Sequence, residues 1–263
     1  MRFSTTIYDN PLKMKMKKGE VVLGTWVNIL RDPILVKMIA TAGFDFISLD
    51  MEHGSVSTEI IANQCLLARE CGITPLVRNY NPKNIRLNAR IMDIGASGLI
   101  VPDVISKEMA ELVVKSVKYF DNGTRNYSNF SLSTGFTDNT ENDMRRSDEQ
   151  AIIVIQIESL IGIENIDEIL SVPGIDVVMV GRGDLAHDMG LSGQINNIQV
   201  SEQAKKVFAA AKRHNIISGI LASNPERGVD LVKNGFQFIH YSNEQAILMS
   251  AYNKFLNEVR NAF

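Results

Sequence analysis

Residues 177–190, VVMVGRGDLAHDMG, admit two opposed readings. Arg182-Gly183-Asp184 matches a cell-adhesion tripeptide, yet the run before it is a string of β-formers closed by glycine. On the second reading a buried strand ends here, and Asp184 stands at the carboxyl end, where a parallel barrel gathers its chemistry. The rest of the chain decides between them.

Working outward, seven more short apolar runs appear, at 21–28, 44–52, 74–80, 97–104, 151–159, 216–223 and 236–242, with the stretch above completing the set at 175–182. Longer amphipathic intervals separate them, which is the rhythm of βα units laid on a parallel sheet. In DPILVKMIATAG (32–43), for instance, Asp32 can cap, Pro33 suits a first turn and Gly43 closes the helix. Eight such units in 263 residues predict an α/β chain folded as one (β/α)8 TIM barrel spanning 1–263, with an N-terminal extension. A doubly wound sheet is the alternative, but no Gly-x-Gly-x-x-Gly follows the first strand. Residues 121–142 and 190–199 interrupt the rhythm, and the first of these is long and polar enough to be functional rather than a simple connection.

Composition narrows the function classes. Lys and Arg total 27 against 30 Asp and Glu, for a formal charge of -3, so no basic surplus draws nucleic acid or an anionic membrane. Cys65 and Cys71 are the two cysteines, and six residues apart on a helix they fall on different faces, as buried thiols rather than a redox or zinc pair. The first twenty residues mix charge and Pro where a secretion signal needs an apolar core, which predicts a cytoplasmic protein and weakens the adhesion reading.

Taken as strand ends of a barrel, the polar residues form one ring: Trp26 and Asn28, then Asp50, Glu52 and His53, then Arg78, then Gln156 and Glu158, then Asp184. Glu158 and Asp184 come from adjacent strands, and two carboxylates at one rim suit a hard divalent cation that keeps positions for water and a chelating substrate. Capping of the following helices is the alternative for each. Asp50 and His53, in LDMEHG, are spaced for the carboxylate to orient the imidazole and raise its basicity. His187, His214 and His240 are read as ordinary surface or core histidines. Arg78 ends an apolar strand, so its charge calls for an anionic partner, either a substrate oxygen or a salt bridge to Asp50 or Glu52.

With GTW at 24–26, GFDFISLDMEHG at 43–54, PLVR at 75–78, GASGLIVPDV at 95–104, VIQIES at 154–159 and GIDVVMVGRGDLAHDMG at 174–190, the chain resembles the class II pyruvate aldolases of the HpcH/HpaI family. That family lies within the wider pyruvate and phosphoenolpyruvate barrel superfamily. The resemblance runs over roughly residues 20–260. It implies a metal-dependent aldolase that cleaves 4-hydroxy-2-oxo acids to pyruvate and an aldehyde. By the same resemblance Glu158 and Asp184 bind Mg²⁺, Mn²⁺ or Co²⁺, while Gln156 and the Gly183 and Asp184 amides hold pyruvate. Arg78 contacts its oxo group, Asp50 and His53 form the acid/base pair, and Trp26 and Leu221 belong to the substrate pocket. A hexamer, as a trimer of dimers that exchange the last helix, is also implied, with residues 243–262 packing on a neighbour.

Family members commonly carry Pro at the position of Arg182 and Gly at that of Asn126, which points to Arg182 or Arg125 as an extra anion contact favouring an acidic acceptor or oxaloacetate as donor; a solvated surface charge is the alternative for Arg182. Two other functions stand beside the aldolase: a lyase or synthase using oxaloacetate or an acyl thioester, and a silent metabolite-binding barrel. The acceptor, the direction of the reaction and the preferred metal stay open.

Overall fold

The computed structural model describes residues 9–119, 123–128, 131–134, 136 and 140–262. The chain opens with a short helix, α1 (Pro11–Lys17), which precedes the first strand, β1 (Val22–Val27). Strand and helix then alternate through α2 (Ile34–Thr41), β2 (Phe46–Asp50), α3 (Thr58–Glu70), β3 (Thr74–Arg78), α4 (Ile85–Asp93) and β4 (Gly98–Val101). Two helices, α5 (Lys107–Val117) and α6 (Thr140–Gln150), lead to β5 (Ile152–Ile157). Two short ones, α7 (Leu160–Glu164) and α8 (Ile166–Leu170), lead to β6 (Val177–Val180). The last part runs α9 (Arg182–Asp188), α10 (Ile198–Arg213), β7 (Ile217–Ala222), α11 (Pro225–Lys233), β8 (Phe238–Asn243) and α12 (Glu244–Arg260).

All eight strands are parallel and pair in sequence order, with β8 closing on β1, so the predicted (β/α)8 barrel is the fold. Residues alternate across the sheet. Inward-facing Val22, Trp26, Phe46, Leu76, Ile100, Val154, Val177, Met179 and Phe238 form one apolar cluster filling the barrel. Leu12 and Met16 join it from α1, which therefore plugs the amino-terminal mouth. The outward set, including Val27, Leu49, Val77, Ile155 and Val178, packs under the helices as a second cluster. Burial of both faces explains why the strands read as continuous apolar runs rather than alternating ones.

The strands end earlier than the apolar runs suggested. β2 stops at Asp50 and β6 at Val180, so Glu52, His53 and Arg182 sit in the loops and helix beyond the sheet. Asp32 Oδ1 does accept the N–H of Ile34, the second residue past it, while Pro33 holds the N-cap position. Part of the polar stretch at 121–142 lies outside the described residues; its end enters α6. Cys65 is buried and Cys71 partly so, both are free thiols, and burial pushes the Cys65 thiol up to about 12. No helix of the described residues is long and apolar enough to cross a membrane.

Candidate active site

The carboxyl ends of the strands converge on one mouth of the barrel, opposite α1. Gln156, on the inner face of β5, and Glu158, one residue past it, are both almost fully buried. Glu158 Oε1 accepts the backbone N–H of Asp103 at 2.8 Å. Asp103 adopts φ 46° to point that N–H, a left-handed conformation that costs a non-glycine residue strain. The other oxygen, Oε2, has no hydrogen-bond partner among the described residues, and neither has Gln156 Oε1. Buried acceptors are ordinarily paired, so two orphans two residues apart at one strand end mark a place where another group binds. Gly181 keeps that place open, because a Cβ there would collide with the Glu158 carboxylate.

Burial, reinforced by the negative charges of Asp184 and Glu52, pushes the Glu158 carboxyl up to about 7. Asp184 itself is exposed and lies in the first turn of α9, not at the end of β6 as expected. Gly183 shares that turn. An exposed carboxylate facing a buried one repels it until a cation sits between them. Among the described residues no three acidic, His or Cys side chains cluster as a ready metal cage, so a cation held here would rest on two carboxylates and keep open positions.

Arg78 anchors the opposite side. Its Nε and Nη2 donate to both oxygens of the fully buried Asp50, at 2.9 and 2.7 Å, and Nη1 lies 3.0 Å from Glu52 Oε2. The guanidinium carbon stands 4.6 Å from the centroid of the Trp26 ring. Trp26 in turn stacks on His240, 4.7 Å away and 16° from parallel. His240 is wholly buried with Nε2 2.7 Å from Ser48 Oγ, and burial pushes its imidazole down to about 3, so it is a neutral core histidine as anticipated. The planar fork of an arginine suits this place because it fits a carboxylate edge and an aromatic face at once. The internal salt bridges, which were the alternative reading of Arg78, are both present.

The expected pairing of Asp50 with the His53 imidazole is not formed. Both Asp50 oxygens are occupied by Arg78, and Oδ1 also accepts the backbone N–H of Glu52 at 3.0 Å and of His53 at 3.4 Å. The His53 side chain projects outward, 60% exposed, with Nε2 3.7 Å from Glu52 Oε2. Glu52, counted only as one of the ring, is thus the carboxylate that faces both Arg78 and His53. Leu221 is half exposed on β7 between the buried Ile220 and Ala222, which turns it toward the mouth.

Neither arginine proposed as an extra anion contact lies in this group. Arg125 is buried, with its guanidinium on Asp93 at 2.6 Å, on Ser133 at 2.8 Å and over the Tyr119 ring, so its charge is spent on holding the loop after α5. Arg182 leaves the rim and donates to Ser201 on α10 at 2.8 Å. Two residues escaped the sequence reading. One is Asp103, whose backbone orients Glu158. The other is Glu244, whose carboxylate accepts the N–H groups of Asn28, Ile29 and Leu30 and ties the loop after β1 to the start of α12. No local pattern marks either, since each acts on residues 55 and about 215 positions away.

Charge gathered at one mouth of a packed barrel defines the class: a barrel enzyme with its site on the carboxyl rim. The family model for HpcH/HpaI aldolase/citrate lyase matches residues 23–251, and the chain belongs to that family, an enzyme family of carbon–carbon bond chemistry. A 5-keto-4-deoxy-D-glucarate aldolase of Salmonella arizonae is 30% identical over 83% of this chain and 84% of its own length. That of Escherichia coli K12 is 29% identical over 94% of this chain and 96% of its own. The HpcH/HpaI aldolase of Desulfitobacterium hafniense DCB-2 superposes with a TM-score of 0.90 at 30% identity, covering 95% of this chain and 96% of that one. The citrate synthase SbnG gives 0.86 at 26%, over 96% and 98%.

Proposed function

We propose that this chain is a divalent-metal-dependent aldolase that cleaves 4-hydroxy-2-oxo acids to pyruvate and an aldehyde, reversibly. The observation that carries the reading is the pair of buried, unpartnered acceptors, Glu158 Oε2 and Gln156 Oε1, beside Asp184 and opposite Arg78. Glu158 and Asp184 would hold the cation, Mg²⁺, Mn²⁺ or Co²⁺, since hard oxygen donors suit such ions. When bound, it supplies Lewis-acid polarisation of the 2-oxo acid.

The protein groups divide the remaining work. Gln156 and the Gly183 and Asp184 amides, in the first turn of α9, orient the carboxylate and oxo oxygens, and Trp26 and Leu221 exclude water from one side. As the C3–C4 bond breaks, its electrons pass toward C2 and negative charge collects on the oxo oxygen. Arg78 stabilises that charge from a position already fixed by Asp50, so no reorganisation is needed at the moment of reaction. His53, directly or through water, takes the proton from the 4-hydroxyl as the aldehyde forms, C3 of the enolate takes a proton from solvent to give pyruvate, and both transfers reverse in the synthetic direction, with Glu52 beside His53.

The last helix supports an assembly. α12 buries only Glu244 and leaves Met249, Tyr252 and Phe255 more than half exposed, and α2 leaves Ile34 and Met38 so as well. Apolar faces of this extent need a cover. A second copy of the chain, taking α12 against its own barrel in a hexamer built from dimers, supplies one.

The test is pyruvate release from 4-hydroxy-2-oxo acids by the chelator-treated protein, with and without each cation, beside Asp184→Ala. 5-Keto-4-deoxy-D-glucarate, on which the curated relatives act by name, is the first substrate to try. Release restored by a cation and lost in the variant is the expected result. No release with any cation, together with turnover of oxaloacetate, would move the assignment to the citrate-type chemistry of SbnG.

A further inference from the structure

A cluster of basic side chains lies away from the rim, on the flank of the barrel. A groove of about 830 Å³ is lined by residues of α10, β7 and α11 together with Arg182 at the start of α9. Phe208 and Ile220 form part of its floor, and Lys205, Lys212 and Arg227 line its walls. None of the residues assigned to the proposed active site lines it.

Arg182 is held there in an unfinished state. One amino group, Nη2, donates to Ser201 Oγ at 2.8 Å, while the buried Nε has no partner among the described residues. Arg227 lines the same groove, so two guanidinium groups border one cavity. Among the described residues Arg227 is engaged along one edge, by Asp230. Buried N–H donors go unpaired at substantial cost, and two guanidinium groups that repel across a groove attract an anion between them. Ser201 accepts from Arg182, and among the described residues its hydroxyl donates to none, which leaves the proton for such a ligand.

We propose that this groove is a separate anion site, in which Arg182, Arg227 and Ser201 bind the phosphate group of a small phosphorylated molecule. A phosphate suits this donor set because its oxygens accept from guanidinium and hydroxyl groups in the forked geometry arginine favours. The remaining volume accommodates an organic body against Phe208 and Ile220. The site stands apart from the aldolase reading and is tested without activity.

The experiment titrates inorganic phosphate into the full-length, chelator-treated protein at constant ionic strength set with chloride, and reads Tm. A saturable rise is expected, roughly 3–6 °C at ten times Kd for a domain of this size. Arg182→Gln, which keeps a donor for Ser201, and Arg227→Gln should each abolish it. Glu158→Gln should leave it intact. The absence of a saturable rise, a rise that survives either arginine substitution, or one lost in Glu158→Gln would each overturn the proposal, the last by locating phosphate at the rim. Should Arg182→Gln fail to fold, Arg227→Gln decides alone.

Discussion

Replacing Glu158 with glutamine is expected to stabilise the metal-free protein at neutral and alkaline pH while destroying its response to metal. The carboxyl is raised from 4.5 to about 7, first by burial and then by the charges of Asp184 and Glu52. Between those two values the folded protein keeps a proton that the unfolded chain has released, so stability falls as pH rises across that window. Above it the cost is complete. A shift of this size corresponds to about 3 kcal/mol at ~1.4 kcal/mol per unit. Glutamine matches the shape, can still accept the Asp103 N–H and has no charge to desolvate. The difference between variant and wild type should therefore be near zero at about pH 4.5 and approach about 3 kcal/mol by about pH 8, or roughly 6–12 °C in Tm for a chain of this length. Urea unfolding in the presence of a chelator at about pH 5 and about pH 8 measures it. Added Mn²⁺ should then raise the midpoint of the wild type and not that of the variant. A glutamine variant no more stable than wild type at the higher pH, or offset equally at both, would refute the claim that Glu158 is a strained carboxylate awaiting a cation.

Three further outcomes follow from the same geometry. Arg78→Ala leaves the fully buried Asp50 without its partner and should cost about 3–5 kcal/mol in chemical denaturation, besides abolishing turnover. His53→Ala removes an exposed ring, so its stability should stay within about 0.5 kcal/mol of wild type. The same variant should lower kcat for cleavage by roughly 10²–10⁴-fold, and equal kcat would remove His53 from the proton path. Phe255→Asp, on the uncovered face of α12, should yield a smaller particle in sedimentation than wild type, and an unchanged sedimentation coefficient would show that this face is not an interface.

The barrel and the identity of the rim residues were legible in one sequence because both depend on local order. Eight apolar runs with amphipathic intervals leave few ways to bury every face, and closure of the barrel makes the residues after each run neighbours at one mouth. Gln156 follows directly from its place on β5, and Glu158 from its place one residue past the end of that strand. Pairing among the rim side chains was not legible. Asp50 and His53 are three positions apart, yet Asp50 belongs to Arg78, because β2 and β3 set these two residues in register and the turn carries the imidazole outward. Arg182 and Arg125 read as candidates for the mouth, but neither reaches it. One follows the first turn of α9 to Ser201, and the other is drawn under Tyr119 by Asp93. Glu244 and Asp103, which brace the site, act across the barrel seam and between neighbouring strands. A sequence states which side chains a strand delivers to the rim, whereas the partner each takes is fixed by competition among charges in three dimensions, where the nearest well-aligned donor prevails.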